Sequence, residues 1–185
     1  MILEDIIDPR VSQALLAGQL VVLKTDTIYG ILARASDSAA VSRLYRDRPR
    51  SPQKSCILLV SNINDIPGLT PEHQATYTEL SRSRPTTVIV NTNQDFMPHL
   101  VRQQGTLAFR FIPPSKLADL IRLTGPLLAP SANPENQPPA IDIDQAMTYF
   151  GDKVSIYVDD GRARDTLPSK IIAIGDGDEI KVIRG

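Results

Sequence analysis

The sequence predicts one domain of α/β or α+β class, built on a twisted sheet. Three observations predict it. The chain has 185 residues, enough for a single domain with a full core. Apolar residues make up 42% and charged residues 22%, an ordinary globular balance. Helical and strand patterns alternate early in the chain, and strands dominate late.

The elements follow in order. "DPRVSQALLAGQL" reads as a first helix, with Val11, Ala14, Leu15 and Leu16 on one face and Gly18 as its C-terminal cap. "LVVL" is a first strand. "DSAAVSRLYRDR" is a helix capped by Asp37 or Ser38, with Val41, Leu44 and Tyr45 as its apolar stripe, and Pro49 and Pro52 stop it. "SCILLVS" is a second, buried strand. "TPEHQATYTELSRSR" is a third helix, with Thr70 at the N-cap and Pro71 at the first helical position. "TTVIVN" is β-branched almost throughout and reads as a strand. "GTLAFRFI" alternates, placing Leu107, Phe109 and Phe111 on one side and Ala108 and Arg110 on the other. "PSKLADLIRLTG" is a helix ended by Gly125, and "PLLAPSAN" a strand running into a loop. "DIDQAMTYFG" is a short helix capped by Asp142 or Asp144. "VSIYVDDG", "SKIIAIG" and "EIKVIRG" are late strands. The Pro/Asn-rich "PSANPENQPPA" is the longest loop signal.

Composition narrows the function classes. A net charge of −1 excludes a protein whose whole surface grips nucleic acid, while leaving room for a local basic patch. The single Cys56 lies in a strand pattern and reads as a small core hydrophobe, a usage suited to the cytoplasm. No apolar run reaches the ~20 residues of a membrane helix. The opening "MILEDIIDPR" carries acidic residues and no signal-peptide pattern. Neither G-x-x-x-x-G-K-S/T nor G-x-G-x-x-G occurs. His73 and His99 stand far apart with no second cysteine, so no metal site is expected.

Polar residues interrupt the core pattern at four places, each at a strand end or in a loop, where ligands of α/β proteins bind. In "KTDTIYG", Thr25 and Thr27 can donate to anions or hold an amino acid's hydroxyl; the plainer reading is a hydroxyl turn closing strand to helix. In "RLYRDRPRSPQK", Arg43, Arg46, Arg48, Arg50 and Lys54 surround one Asp47, a local net charge of about +4. The alternative there is a solvated helix face, although the acids needed for helical pairs are missing. Arg110 interrupts an apolar strand and would suit a ligand carboxylate, or else an exposed sheet face. Ser131 and Asn133 follow a buried strand and can bind phosphate or ribose oxygens, or form a plain turn. Together these point to a concave, electropositive site for a phosphorylated small molecule and an anion. No acid–base pair stands out. Catalysis would then rest on positioning and electrostatics, with Mg²⁺ held mainly by the phosphates.

Six segments in order carry a resemblance. They are Lys24-Thr25-Asp26-Thr27-Ile28-Tyr29-Gly30-Ile31, Arg46-Asp47-Arg48-Pro49 with Lys54 beyond it, and Leu107-Ala108-Phe109-Arg110-Phe111 with Pro113. Then come Pro130-Ser131-Ala132-Asn133, then Asp160-Gly161 with Pro168-Ser169-Lys170-Ile171, and finally Arg184-Gly185. The chain resembles the YrdC/Sua5 family of L-threonylcarbamoyladenylate synthases in its short form, one YrdC-like domain over residues 1–185. The resemblance implies a twisted mixed sheet flanked by helices around a large electropositive cavity. It implies condensation of L-threonine, bicarbonate and ATP to threonylcarbamoyl-AMP with release of pyrophosphate, a nucleotidyl transfer serving t6A modification of tRNA. Carried over by position, Thr25, Arg110 and Ser169 would bind threonine and bicarbonate. Arg46, Arg48, Lys54, Ser131, Asn133 and Arg184 would bind the nucleotide, Arg46 and Arg48 acting in catalysis on the phosphates. The product would pass to a tRNA threonylcarbamoyl transferase complex, and the basic patch would suit tRNA.

The chain departs from the family pattern at Lys24, where Pro is expected, at Arg46 for Lys, Pro130 for Thr and Lys170 for Thr. The segment Arg84 to Val90 is contracted and lacks the family's Gly. An Arg-x-Arg variant occurs in the YciO branch of the superfamily. A YciO-like nucleotide- or RNA-binding paralogue with little synthase activity is therefore the alternative, and a structural subunit of a tRNA-modifying complex is a third.

Overall fold

The computed structural model describes residues 1–48, 56–163, 167–174 and 179–185. In chain order the elements are β1 (Ile2–Leu3), α1 (Pro9–Leu16), β2 (Val21–Lys24), β3 (Tyr29–Arg34), α2 (Ser38–Asp47) and β4 (Ile57–Val60). They continue with α3 (Pro71–Ser81), β5 (Thr86–Asn91), β6 (Thr106–Phe111), α4 (Lys116–Thr124) and β7 (Leu127–Leu128). Last come α5 (Ile143–Phe150), β8 (Ile156–Val158), β9 (Lys170–Ile174) and β10 (Ile180–Arg184). The strands of the described residues form one mixed sheet in the order β1-β8-β2-β3-β7-β4-β6-β5-β9-β10. This is the mixed sheet flanked by helices that the sequence implies.

Local chemistry sets the helix limits. Asp8, Asp37, Thr70, Ser115 and Asp142 each accept a backbone N–H from the first turn of a helix. Thr70 and His73 close a reciprocal pair at the start of α3. Gly125 ends α4 at φ 80°, a conformation that suits glycine.

The two faces of the sheet bury different clusters. Val22, Tyr29, Ile31, Ala33, Leu58 and Phe109 face α2, α3 and α5. Val21, Leu23, Leu32, Leu59 and Leu127 face α1 and α4. The period of two along β2 and β3 assigns successive residues to opposite cores. Cys56 is buried in the first cluster.

One expectation is corrected. The turn after Leu23 does not close strand to helix. It joins β2 to β3 as an antiparallel hairpin, with Lys24 opposite Tyr29 and Val21 opposite Leu32. β3 is buried on both faces over residues 29–33, so its sequence is a continuous apolar run with no alternation to mark it. No helix of the described residues is long and apolar enough to cross a membrane.

Candidate functional site

The second face of the sheet is covered by α1 and α4 only as far as β4. Beyond it, Thr87 and Ile89 of β5, Ala108 and Arg110 of β6 and Ile171 of β9 point to that face from uncovered strands. They floor a cavity of about 400 Å³. The hairpin loop with Thr25 and Thr27 forms one wall. Pro130 and Ser131 form another, and Pro168, Ser169 and Arg184 a third. The volume is that of a small-molecule site.

Arg110 is 5% exposed. Its Nη1 pairs with Asp26 Oδ1 at 2.9 Å and donates to Thr27 Oγ1 at 3.1 Å, and its Nε donates to Thr87 Oγ1 at 3.2 Å. Its Nη2 has no hydrogen-bond partner among the described residues. A buried guanidinium tied at two nitrogens is a fixed cation with donor capacity left for a ligand. Tyr77 braces the strands on either side, donating to Thr86 O at 2.7 Å and accepting from Phe111 N at 3.0 Å. Burial pushes its phenol up, which keeps it a donor.

Thr25 Oγ1 is committed to Ile28 O at 2.8 Å and lies 3.2 Å from Thr27 Oγ1. The loop is thus self-bonded and presents both threonines to the cavity. Gly30 keeps the neighbouring wall close. A Cβ there would lie 3.2 Å from Thr25 Cγ2 and 3.3 Å from Pro130 O. Backbone bonds from Ile31 N to Pro130 O (3.0 Å) and from Ala132 N to Tyr29 O (2.8 Å) join hairpin and turn.

Arg48 is buried and holds the Ser131–Asn133 turn. Its Nε donates to Ser131 O at 2.8 Å, and its Nη2 to Ser131 Oγ and Asn133 Oδ1, each at 3.2 Å. It stands behind the turn rather than among the lining residues. Arg46 lies outside the cavity, its side chain 70% exposed and paired with neighbouring Asp47 at 2.7 Å. Lys54 lies outside the described residues. Ser169 is buried, sharing a hydrogen bond with Thr87 Oγ1 at 2.9 Å. Arg184 donates to Ser169 O through Nε at 3.1 Å and Nη2 at 2.7 Å. Burial, and then the charges of Arg110 and Arg84, hold the Arg184 guanidinium below its usual range.

The structure therefore brings Thr25, Arg110, Ser131, Ser169 and Arg184 to one cavity, with Arg48 and Asn133 directly behind it. Three further residues had been given no role at the site. Asp26 neutralises Arg110, and Thr87 links Arg110 to Ser169. Lys24 Nζ binds Asp160 O at 2.7 Å and the Asp160 carboxylate at 3.0 Å. With the Tyr29 hydroxyl, which donates to Gly161 O at 2.7 Å, Lys24 clips residues 160–161 to the hairpin. The sequence offered little signal: Thr87 stands beside Thr86 at the start of TTVIVN, and its hydroxyl looks no different from its neighbour's.

Thr87→Val keeps the shape of the strand and removes the hydroxyl shared by Arg110 and Ser169. Urea unfolding should lose about 1–3 kcal/mol, the cost of stranding buried donors. Thr87→Ser, which keeps the hydroxyl, should lose clearly less. Equal losses would show that only packing matters there.

Chemically, Arg110 and Arg184 are the only charged groups among the described lining residues, and no carboxylate or histidine joins them. Such a site can hold anions and stabilise growing negative charge. Among the described residues, no three His, Cys, Asp or Glu gather to hold a metal.

A family model described as telomere recombination, covering Sua5, YciO and YrdC, matches residues 13–185. A "putative threonylcarbamoyl-AMP synthase" of Mycobacterium tuberculosis is 33% identical over 162 residues, 86% of this chain and 75% of that protein. P. abyssi Sua5, solved in complex with L-threonine, superposes with a TM-score of 0.80 at 22% identity; all of this chain is covered and 56% of that one. E. coli YciO superposes with a TM-score of 0.77 at 17% identity, over 100% of this chain and 94% of that one. At these identities the two structural matches speak for the fold.

Proposed function

The chain belongs to the Sua5/YciO/YrdC family, and on that premise we propose that it joins L-threonine, bicarbonate and ATP into threonylcarbamoyl-AMP, releasing pyrophosphate, for t6A modification of tRNA. One observation carries the reading. A buried Arg110, paired with Asp26 and with Nη2 left over, lines the same cavity as the Ser131 turn, which supports a carboxylate end and a phosphate end. The name borne by the M. tuberculosis relative, and the threonine bound to the P. abyssi protein, support the same pair of ligands.

In this scheme Arg110 Nη2 receives the threonine carboxylate, and Thr25 and Ser169 border the amino acid. Bicarbonate gives up its hydroxyl as the neutral threonine amine bonds to its carbon and loses a proton; the two leave together as water, and a carbamate remains. A carbamate oxygen then bonds to the α-phosphorus as the bond to the pyrophosphate oxygen breaks. Ser131 and Asn133 hold the nucleotide on a turn whose shape Arg48 fixes. Arg184 faces the charge that grows on the phosphates. Mg²⁺, carried on the phosphates, would supply further neutralisation of their charge. Arg46 and Lys54 are assigned to the phosphate tail, Arg46 after release from Asp47. The reaction is a nucleotidyl transfer, and the cavity acts through positioning and fixed charge.

The chain works as one YrdC-like domain in the cytoplasm, passing its product to a tRNA-modifying transferase. The YciO-like alternative rests on the outward position of Arg46 in the Arg-x-Arg segment.

Purified protein with ATP, L-threonine and bicarbonate should release pyrophosphate, and omission of any one substrate should stop it. ATP binding without threonine-dependent release would overturn the synthase reading in favour of the nucleotide-binding paralogue.

A further inference from the structure

Lys24 has partners but no part in the scheme so far. It stands opposite Tyr29 on the last rung of the β2–β3 hairpin. Both side chains grip one dipeptide of the chain leaving β8. Lys24 Nζ donates to Asp160 O at 2.7 Å and pairs with the Asp160 carboxylate at 3.0 Å. The Tyr29 hydroxyl donates to Gly161 O at 2.7 Å and accepts from Asp160 N at 3.2 Å. Lys24 stands where the family pattern has Pro, which carries no ammonium group, so its half of the grip is particular to this chain.

Beyond that rung the loop has little to pack on, and no residue from 24 to 28 is buried. Thr25 borders the ligand cavity and also, with Lys24 and Asp26, a second cavity of about 290 Å³ beside Pro113 and Lys116. With Thr27 these residues border an open groove against Asp160 and Arg162. The loop is therefore hung from polar ties on two sides. Lys24 and Tyr29 hold one side. On the other, Arg110 holds Asp26 at 2.9 Å and Thr27 at 3.1 Å. A carboxylate bound at Arg110 Nη2 disturbs only this second tie. It shares the guanidinium charge with Asp26, and the two carboxylates repel each other. The loop then depends on Lys24 more than it does in the free protein.

We propose that Lys24 is a positioning residue for threonine: its pair with Asp160 keeps Thr25 and Thr27 at the cavity wall when Arg110 turns its charge to the ligand carboxylate. The inference rests on the proposed placement of that carboxylate. A tie changes affinity only by the difference it makes between bound and free states, and here the difference lies in the weakened Asp26 contact. The Lys24 and Asp160 side chains are 27% and 67% exposed, so the effect is that of a partly screened pair, about three-fold.

Separate titrations of the full chain with L-threonine and with ATP, paired with amide exchange, test it. Lys24→Met keeps the stem and removes the charge. It should bind threonine about three-fold more weakly and ATP as before, and Lys24→Arg should recover part of the loss. The gap between Lys24→Met and the unaltered protein should close at high salt, which screens the pair. With threonine bound, the Asp160 amide should exchange faster in Lys24→Met than in the unaltered protein. Unchanged threonine affinity in Lys24→Met overturns the proposal. So does an equal loss of threonine and ATP, which would mark general damage, or a loss undiminished by salt, which would mark packing. An unaltered protein that binds threonine without threonine-dependent pyrophosphate release would sink the synthase reading alone, since the titrations still read the tie. No threonine binding by the unaltered protein would sink both.

Discussion

Arg110→Ala is expected to abolish threonine binding and to destabilise the fold by about 3–5 kcal/mol, the cost of stranding one partner of a buried ion pair. The residue left behind is Asp26, whose side chain is 19% exposed and whose carboxylate meets Arg110 at 2.9 Å. Two effects are combined in that one substitution, and a second variant separates them. Asp26→Asn combined with Arg110→Ala removes the uncompensated charge, so most of the stability should return while threonine binding stays lost. Arg110→Lys keeps a charge but cannot hold Asp26, Thr27 and Thr87 with one planar fork. It should be intermediate in stability and poor in binding. Urea unfolding and threonine titration read the two quantities independently. Equal loss of threonine and ATP affinity in a stable Arg110→Ala protein would remove the carboxylate role.

Arg48→Met should act on the other end of the cavity. The side chain is buried, and its described bonds all reach a turn more than 80 residues away in sequence. Met fills similar space without donors, so Asn133 Oδ1 loses its cation and the turn loses its brace. A loss of about 2–4 kcal/mol is expected, since hydrogen bonds to charged groups are worth more than neutral ones and their partners are stranded. Affinity for AMP and ATP should fall steeply, while threonine, whose carboxylate we propose meets Arg110, should keep most of its affinity. The two substitutions thus predict opposite selectivity. A variant of Arg48 that weakened threonine more than nucleotide would contradict the arrangement.

The legible parts of the molecule were those whose signal is local. Asp37, Thr70 and Asp142 announced their helices by capping chemistry, and Arg110 announced itself as a charge in an apolar strand. β3 was not legible, because a strand buried on both faces loses the alternation that identifies it. β1 is two residues long and too short to carry a pattern, whereas β7, equally short, was marked by the apolar run before Pro130. The partners of Arg110 were hidden for another reason. Asp26 is 84 residues away and Thr87 is 23, and only strand pairing brings them together. Arg46 and Arg48 read alike in sequence. The last turn of α2 sends one outward to Asp47, and the residue after it inward to Ser131. Lys24 stood out only as an unexpected residue, until Asp160 supplied its partner.

The strand order has a consequence for what can fit. Arg110 belongs to β6, and Ser131 continues from β7, with β4 alone between those strands. Two inter-strand spacings separate the ends of the cavity across the sheet, about 10 Å. The sheet is therefore a ruler whose markings are hydrogen-bond registers. Loop insertions would leave its scale untouched. A slip of one residue in β6 would turn Arg110 into the opposite core and erase the zero mark. Selection among ligands would then be a matter of reach before it is one of contact.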